Sequence, residues 1–134
     1  MNRDHAQSPG SVYDHAWQEA YRHKWIESEK QGRDLGSVAI QEWSQRHLNR
    51  FYRWCHWQHL TGRQRFIEFR SDSFGTITES RDDVELEIVR QLCNGHENLE
   101  IYCDAHGRGW PLEQVFHLLL SFDINGTRPR PLLD

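Results

Sequence analysis

The stretch SVAIQEWSQRHLNRFYRWCHWQHL, residues 37–60, decides the fold because it is the longest segment with a helical pattern. With about 100° between successive residues, its main apolar side chains fall on one face: Ile40, Leu48, Phe51, Tyr52 and Cys55. Three arginines and a tryptophan fall on the opposite face: Arg46, Arg50, Arg53 and Trp57. The pattern predicts a helix with one buried side and one cationic, aromatic side.

A second helix is predicted before this one. Ser11 is a suitable N-cap, and aromatic residues between Tyr13 and Trp25 recur at three- and four-residue spacing, with the helix running to about Lys30. Gly32 can adopt the left-handed conformation that ends a helix.

The turn between these two helices is short. Residues 33–36, Arg-Asp-Leu-Gly, form a corner, and Asp34 or Ser37 can accept the free backbone N–H groups of the next helix. Thr61 and Gly62 then close that helix. So tight a connection predicts an antiparallel helical hairpin.

The segment after the hairpin has a weaker pattern. Residues 65–69 favour a helical turn over a short strand, and residues 71–80 are expected to be a loop. A third helix is predicted over residues 84–93, capped by Asp82 or Asp83 and stopped by Asn94-Gly95.

Two further helices are predicted toward the C-terminus. Residues 97–105 fit both a strand and a helix, and the helical context favours a short helix. Pro111 suits the first position of a last helix that runs to Phe122 and ends before Asn125-Gly126. The fold class is therefore all-α, a compact bundle of about five helices that opens with the hairpin. Residues 1–10 are expected to be a flexible lead, residues 11–126 a single helical domain and residues 127–134 a flexible tail.

Composition limits the classes of function. The chain has 134 residues, a net charge of −4 and no run of 18 apolar residues, which predicts one domain and no membrane partner. The N-terminus lacks the apolar segment of a signal peptide, and the cysteine count is three. An odd count argues against a disulfide framework, so we expect a reducing, cytoplasmic location. No cofactor is expected.

One stretch resembles a known group of sequences. Residues 23–36, HKWIESEKQGRDLG, are similar to the signature of a family of uncharacterised bacterial domains of unknown function. The resemblance covers about the first half of the chain and implies a helical hairpin with no catalytic role. The signature residues it implies are His23, Trp25, Glu29, Gly32, Arg33, Asp34 and Gly36. Helix capping and a surface ion pair between Glu29 and Arg33 account for this pattern. The functional alternative is that Glu29, Arg33 and Asp34 bind an anion or a partner.

Charge points to a candidate contact surface. Between Arg46 and Arg70 the chain has six arginines and one acid, although the whole chain is acidic. Arginine and tryptophan are enriched at interface hot spots, so the face formed by Arg46, Arg50, Arg53 and Trp57 is the predicted contact surface. The alternative is that these arginines pair within the chain with an acidic block: Glu79, Asp82, Asp83, Glu85 and Glu87.

Two other chemistries have some support. Cysteine and histidine recur at zinc-like spacing in Cys93, His96, Cys103 and His106, but the usual pairs of cysteines two residues apart are missing. Glutamate and histidine lie four residues apart twice, in Glu19 with His23 and in Glu113 with His117. Such pairs are mostly surface contacts, so an enzyme is the least favoured class.

The sequence therefore predicts a non-enzymatic protein-interaction or assembly module. Its partner would be another protein or a second copy of the chain. A small nucleic-acid-binding module that uses the same arginine face is the first alternative, although an acidic chain with a pI near 6.1 disfavours it. A zinc-binding domain is the second alternative.

Overall fold

The predicted hairpin is present in the computed structural model, which describes residues 9–78, 82–124 and 128–133. Helix α1 spans Val12–Gln31 and helix α2 spans Ser37–Leu60, and the two pack side by side. Ser11 is the N-cap of α1, and Gly32 ends the helix with a φ of 71°. Thr61 caps the end of α2, as the sequence predicted.

The start of α2 differs from the prediction. Ser37 is already helical, and the N-cap position belongs to Gly36, which has a φ of 63°. The Asp34 carboxylate instead accepts a hydrogen bond from the Gly36 N–H at 3.0 Å, within the corner. The corner thus uses left-handed backbone at both ends, which glycine adopts without strain.

The face of α1 that packs on α2 consists of small residues rather than aromatic ones. Val12, Ala16 and Ala20, four residues apart, are completely buried. Side chains this small let the two helix backbones approach closely, and α2 fills the space with Ile40 and Trp43. The larger aromatic side chains of α1 lie beside this seam or on the surface.

Three shorter helices complete the bundle within the described residues. Helix α3 spans Asp83–Cys93, α4 spans Asn98–Arg108 and α5 spans Leu112–Phe122. Asp82 caps α3 by accepting a hydrogen bond from the Val84 N–H at 2.9 Å. The all-α prediction is confirmed, and the described residues contain no strand, only one isolated bridge.

That bridge lies within residues 65–69, where a helical turn was predicted. The Gly10 N–H donates to the Arg65 carbonyl at 2.8 Å, and the Ile67 N–H donates to the Gly10 carbonyl at 2.9 Å. The segment still forms one hydrogen-bonded turn, in which the Phe69 N–H donates to the Phe66 carbonyl at 3.4 Å, but it forms no helix. Part of the predicted loop forms a single 3-10 turn, Ser71–Ser73.

A buried histidine holds this segment on α2. The Phe66 N–H donates to His59 Nδ1 at 3.1 Å, and His59 Nε2 lies 2.9 Å from the Arg70 carbonyl. With Nδ1 accepting, Nε2 carries the proton and donates, so the ring is neutral. Burial lowers the pKa of His59, which agrees with this neutral form.

The C-terminal segment lies against the hairpin. Residues 128–133 were expected to be part of a flexible tail, yet Leu132 and Leu133 pack against the hairpin. Residues 1–8 of the predicted lead, residues 125–127 and residue 134 lie outside the described part of the chain.

The core consists of three clusters arranged along α2. The first lies in the seam between α1 and the start of α2, and the second joins Tyr52 and Cys55 to Phe66 and Phe69. The third packs Trp57 and the end of α2 against α3, α4 and α5. The C-terminal half of α2 is therefore covered on more than one side.

Candidate functional site

The predicted arginine face divides into two buried and two exposed residues. Arg53 is only 4% exposed and Trp57 only 6%, so neither can contact a partner on the surface of the folded chain. Arg46 and Arg50 are exposed. The four residues were predicted as one surface, and the structure corrects that prediction.

Arg53 serves the helix that packs beside it. Its Nη1 donates to the carbonyl of Leu92 at 2.9 Å and to that of His96 at 2.7 Å. Its Nη2 lies 3.4 Å from Glu97 Oε2, and burial lowers the pKa of the guanidinium. Arg53 therefore satisfies carbonyl groups where α3 ends, positions at which a helix lacks its own donors.

The predicted face does not form one surface because the two halves of α2 have different neighbours. A single polar face is expected when a helix packs on one side only, as the N-terminal half of α2 does against α1. Its C-terminal half also contacts α3 and α5 on the far side, which buries Arg53 and Trp57. Trp54, which the sequence reasoning did not select, is the exposed tryptophan at 48%. Its spacing of four and eight residues from Arg50 and Arg46 was the available signal.

The acidic block does not neutralise these arginines. No side-chain nitrogen of Arg46, Arg50 or Arg53 lies within 4 Å of a carboxylate in the described part of the block, residues 82–87. Glu87 instead pairs with Arg90 on its own helix, and Asp82 caps that helix while accepting from Gln114. Glu79 lies outside the described residues. The internal pairing that the sequence offered as the alternative is therefore not formed by the described acids.

The proposed zinc ligands are not brought together. Among the residues that the structure describes, no three histidine, cysteine or acidic side chains are arranged to hold a metal ion. Cys103 is exposed and Cys93 is partly buried. Burial raises the pKa of the Cys93 thiol to about 11, which disfavours the thiolate that zinc needs.

The glutamate–histidine pairs are also rearranged. Glu19 pairs with Arg22 at 3.5 Å, while His23 reaches across the hairpin to Glu42 at 3.2 Å. That contact links α1 to α2, and the predicted pair of Glu19 with His23 is not formed.

A concave surface lies at the closed end of the hairpin. We call it the hairpin groove; it has a volume of about 710 Å³ and is lined by Tyr21, Lys24, Trp25, Ser28, Glu29, Gly32, Arg33 and Asp34. Five of these eight are signature residues. Trp25 is 65% exposed and Tyr21 is 53% exposed, one helical turn apart on α1. Two large aromatic surfaces thus border a cavity and face water.

The charges in the hairpin groove are only partly paired. Lys24 Nζ lies 3.5 Å from Asp34 Oδ1, and the Gly36 N–H together with Lys24 lowers the pKa of Asp34. Glu29 and Arg33 were expected to pair, but α1 ends at Gln31, so the helical spacing is broken between them. Neither has an ion-pair partner among the described residues, and both are exposed.

A second cleft, near the end of α5, has a volume of about 600 Å³ and includes His56, Glu68 and Asp123. Two of its titratable groups, His56 and Glu68, make contacts that stabilise the fold. Burial lowers the pKa of His56 to about 4, and the ring stacks on Phe69 at 4.3 Å. Glu68 accepts from the Val12 N–H at 2.8 Å and so caps α1. The cleft offers no free acid–base pair.

Comparison with known proteins assigns neither a family nor a function to the chain. A scan against protein-family models, a search of curated proteins and a search of solved structures each gave no match. Among the described helices, none combines the length and the apolar character needed to cross a membrane. Function has to be inferred from the surfaces of the chain itself.

Proposed function

We propose that this protein is a non-enzymatic interaction module that binds a segment of a partner protein in the hairpin groove. The observation that carries the proposal is the pair of exposed rings, Tyr21 and Trp25, beside a cavity of about 710 Å³. Aromatic side chains supply large, rigid contact area and are enriched at binding hot spots. Neither ring is needed for the buried seam of the hairpin.

The charges beside the rings support a peptide rather than an apolar small molecule. Glu29 and Arg33 offer one acceptor and one donor group of opposite charge at the same end of the hairpin. An extended peptide carries both donors and acceptors along its backbone, so it can use both groups while an apolar side chain packs on Trp25. Such polar contacts fix register and partner choice more than they raise affinity.

The same proposal places the protein in the cytoplasm of a bacterium. All three cysteines are free thiols, which is typical of a reducing compartment. The bacterial origin rests on the resemblance of residues 23–36.

The test is capture of partners from a native lysate by four versions of the full chain. One is the wild type, one carries Tyr21→Ala and Trp25→Ala, and one carries Arg46→Glu and Arg50→Glu. The fourth, Trp54→Ala, is the matched control, because it removes an exposed tryptophan from another face. All altered side chains are exposed, so each variant is expected to keep the wild-type circular dichroism spectrum.

We expect the groove variant alone to lose the captured protein. Direct binding of the purified partner should then weaken at least tenfold in the groove variant and less than twofold in the Trp54 control. Loss in the arginine variant with retention in the groove variant would contradict the choice of surface. Capture that is unchanged in every variant would contradict the proposal as a whole.

Nucleic-acid binding stays as a second candidate because Arg46, Arg50 and Trp54 share one exposed face. With two exposed arginines, this surface can engage about two phosphates of a single strand. The logarithm of the affinity should then fall with a slope of about 1.4 against the logarithm of the salt concentration. That is a weak electrostatic contribution for a chain with a net charge of −4. Titration of labelled single-stranded oligonucleotide at several salt concentrations would separate the two candidates.

A further inference from the structure

The C-terminal segment packs on the hairpin and borders a second, smaller depression there. A space of about 450 Å³ is bordered by Tyr13 and Trp17 of α1 and by Arg130, Pro131 and Leu132 of the segment itself. The segment is therefore bound at this surface as a ligand would be, with open space beside it. We call this surface the tail site.

The segment contacts the tail site in three ways: through the Arg130 guanidinium, through two backbone N–H groups, and through the side chains of Leu132 and Leu133. The Arg130 guanidinium lies 5.1 Å from the centre of the Tyr13 ring, and the Arg130 N–H donates to the Tyr13 hydroxyl at 2.9 Å. The Leu132 N–H donates to Ser44 Oγ at 3.3 Å. Leu132 and Leu133 pack on the apolar cluster of the seam. Cation–π stacking, two backbone hydrogen bonds and an apolar anchor together make a sequence-dependent recognition pattern.

The sequence of the segment suits extended binding. Residues 128–133 read Arg-Pro-Arg-Pro-Leu-Leu, and alternate prolines favour an extended conformation with little entropy left to lose on binding. The segment stays partly exposed along its length, and Arg128 adds one ion pair to Glu97 at 3.7 Å. A segment that stays partly exposed is suited to exchange with a competitor.

We propose that the tail site recognises Arg-Pro-Leu-type segments of partner proteins, and that residues 128–133 occupy it as an internal competitor. Attachment to the same chain gives the segment an effective concentration on the order of millimolar. A free peptide with a dissociation constant of about 100 μM would then bind the intact chain about tenfold more weakly than a chain whose segment is released. This proposal does not rest on the hairpin groove, since its residues and its ligand are different.

The experiment measures binding of a fluorescein-labelled peptide with the sequence of residues 128–134 by fluorescence anisotropy. It compares the wild-type full chain with a full-chain variant carrying Arg130→Ala and Leu132→Asp, which removes the internal contacts. We expect the variant to bind the peptide about tenfold more tightly than the wild type. A peptide carrying the same two substitutions should not bind either protein, and adding Tyr13→Ala to the released variant should abolish the gain.

Arg130→Ala alone is the milder release variant, because this side chain lies on the surface and its loss leaves the leucine anchor intact. This single variant replaces the double variant in the experiment if the double variant does not show the wild-type circular dichroism spectrum. The expected gain in its affinity for the peptide is about threefold. The proposal is overturned if a folded release variant binds the peptide no better than the wild type does. It is also overturned if the substituted peptide binds as well as the natural one.

Discussion

Replacement of Arg53 by methionine should destabilise the protein far more than the same replacement of Arg46. Methionine keeps much of the apolar stem and removes the guanidinium in both cases. At position 53 the carbonyls of Leu92 and His96 lose a charged donor at 2.9 and 2.7 Å, and Glu97 loses its buried partner. Hydrogen bonds to charged groups contribute about 1.5–3 kcal/mol each, and they are not additive.

We therefore expect Arg53→Met to lower the free energy of unfolding by about 3 kcal/mol. This is a large part of the total of about 5–15 kcal/mol for a domain. Arg46→Met is the matched control, and since its side chain is exposed the change should stay within about 0.5 kcal/mol. Arg53→Lys should fall between them, because one ammonium cannot reproduce the fork that reaches two carbonyls and a carboxylate.

The assay is urea unfolding followed by far-ultraviolet circular dichroism. A lower midpoint with an unchanged slope would report a loss of stability without a change in the surface exposed on unfolding. If Arg53→Met and Arg46→Met differ by less than about 1 kcal/mol, the guanidinium does not support the end of α3, and the assignment of Arg53 as a structural residue is refuted.

Three further outcomes follow from buried or capping groups. Glu68→Ala should lower the free energy of unfolding by about 1–2 kcal/mol, measured by urea unfolding, because the backbone at the start of α1 loses its acceptor. Since the pKa of His56 is lowered to about 4, the unfolded chain binds that proton first, and stability should fall by about 3 kcal/mol as the pH drops from 6.5 to 4. Thermal unfolding of His56→Gln over the same pH range should show a smaller slope. In the native chain Cys103 should react with a thiol reagent first, since Cys55 and Cys93 are less exposed and burial raises their pKa values to about 12 and 11. Simultaneous labelling of all three thiols without denaturant would contradict this.

The helices could be predicted from the sequence because their ends carry local signals. Ser11 and Asp82 accept backbone hydrogen bonds at the starts of α1 and α3, and Gly32 takes a positive φ at the end of α1. These signals depend on residues only a few positions apart. The short helix α4 was also predicted, from its helical context, and is confirmed as Asn98–Arg108.

The site residues could not be predicted in the same way, because burial depends on distant segments. Arg53 has the same helical phase as Arg46, and only the packing of α3 distinguishes them. Residues 65–69 form a bridge and a single turn rather than a helix, because Gly10, more than fifty positions earlier, pairs with the backbone of Arg65 and Ile67. Pairings of this kind leave no periodic trace in a single sequence.

The fate of the six arginines between Arg46 and Arg70 argues against a continuous cationic surface and in favour of the hairpin groove. Arg53 is buried, Arg65 stacks on the Phe74 ring at 4.6 Å, and Arg70 pairs with Asp72 at 2.7 Å. Three of the six are therefore engaged in contacts on several elements, and Arg46 and Arg50 remain together on an exposed face. A concentrated field, which steers nucleic acid, requires charges that stay together on one surface. The exposed rings of Tyr21 and Trp25 lie instead at the closed end of the hairpin, beside Glu29 and Arg33, which have no ion-pair partner among the described residues. A rigid corner that presents unsatisfied aromatic and charged groups is suited to hold a partner with little loss of its own conformational freedom.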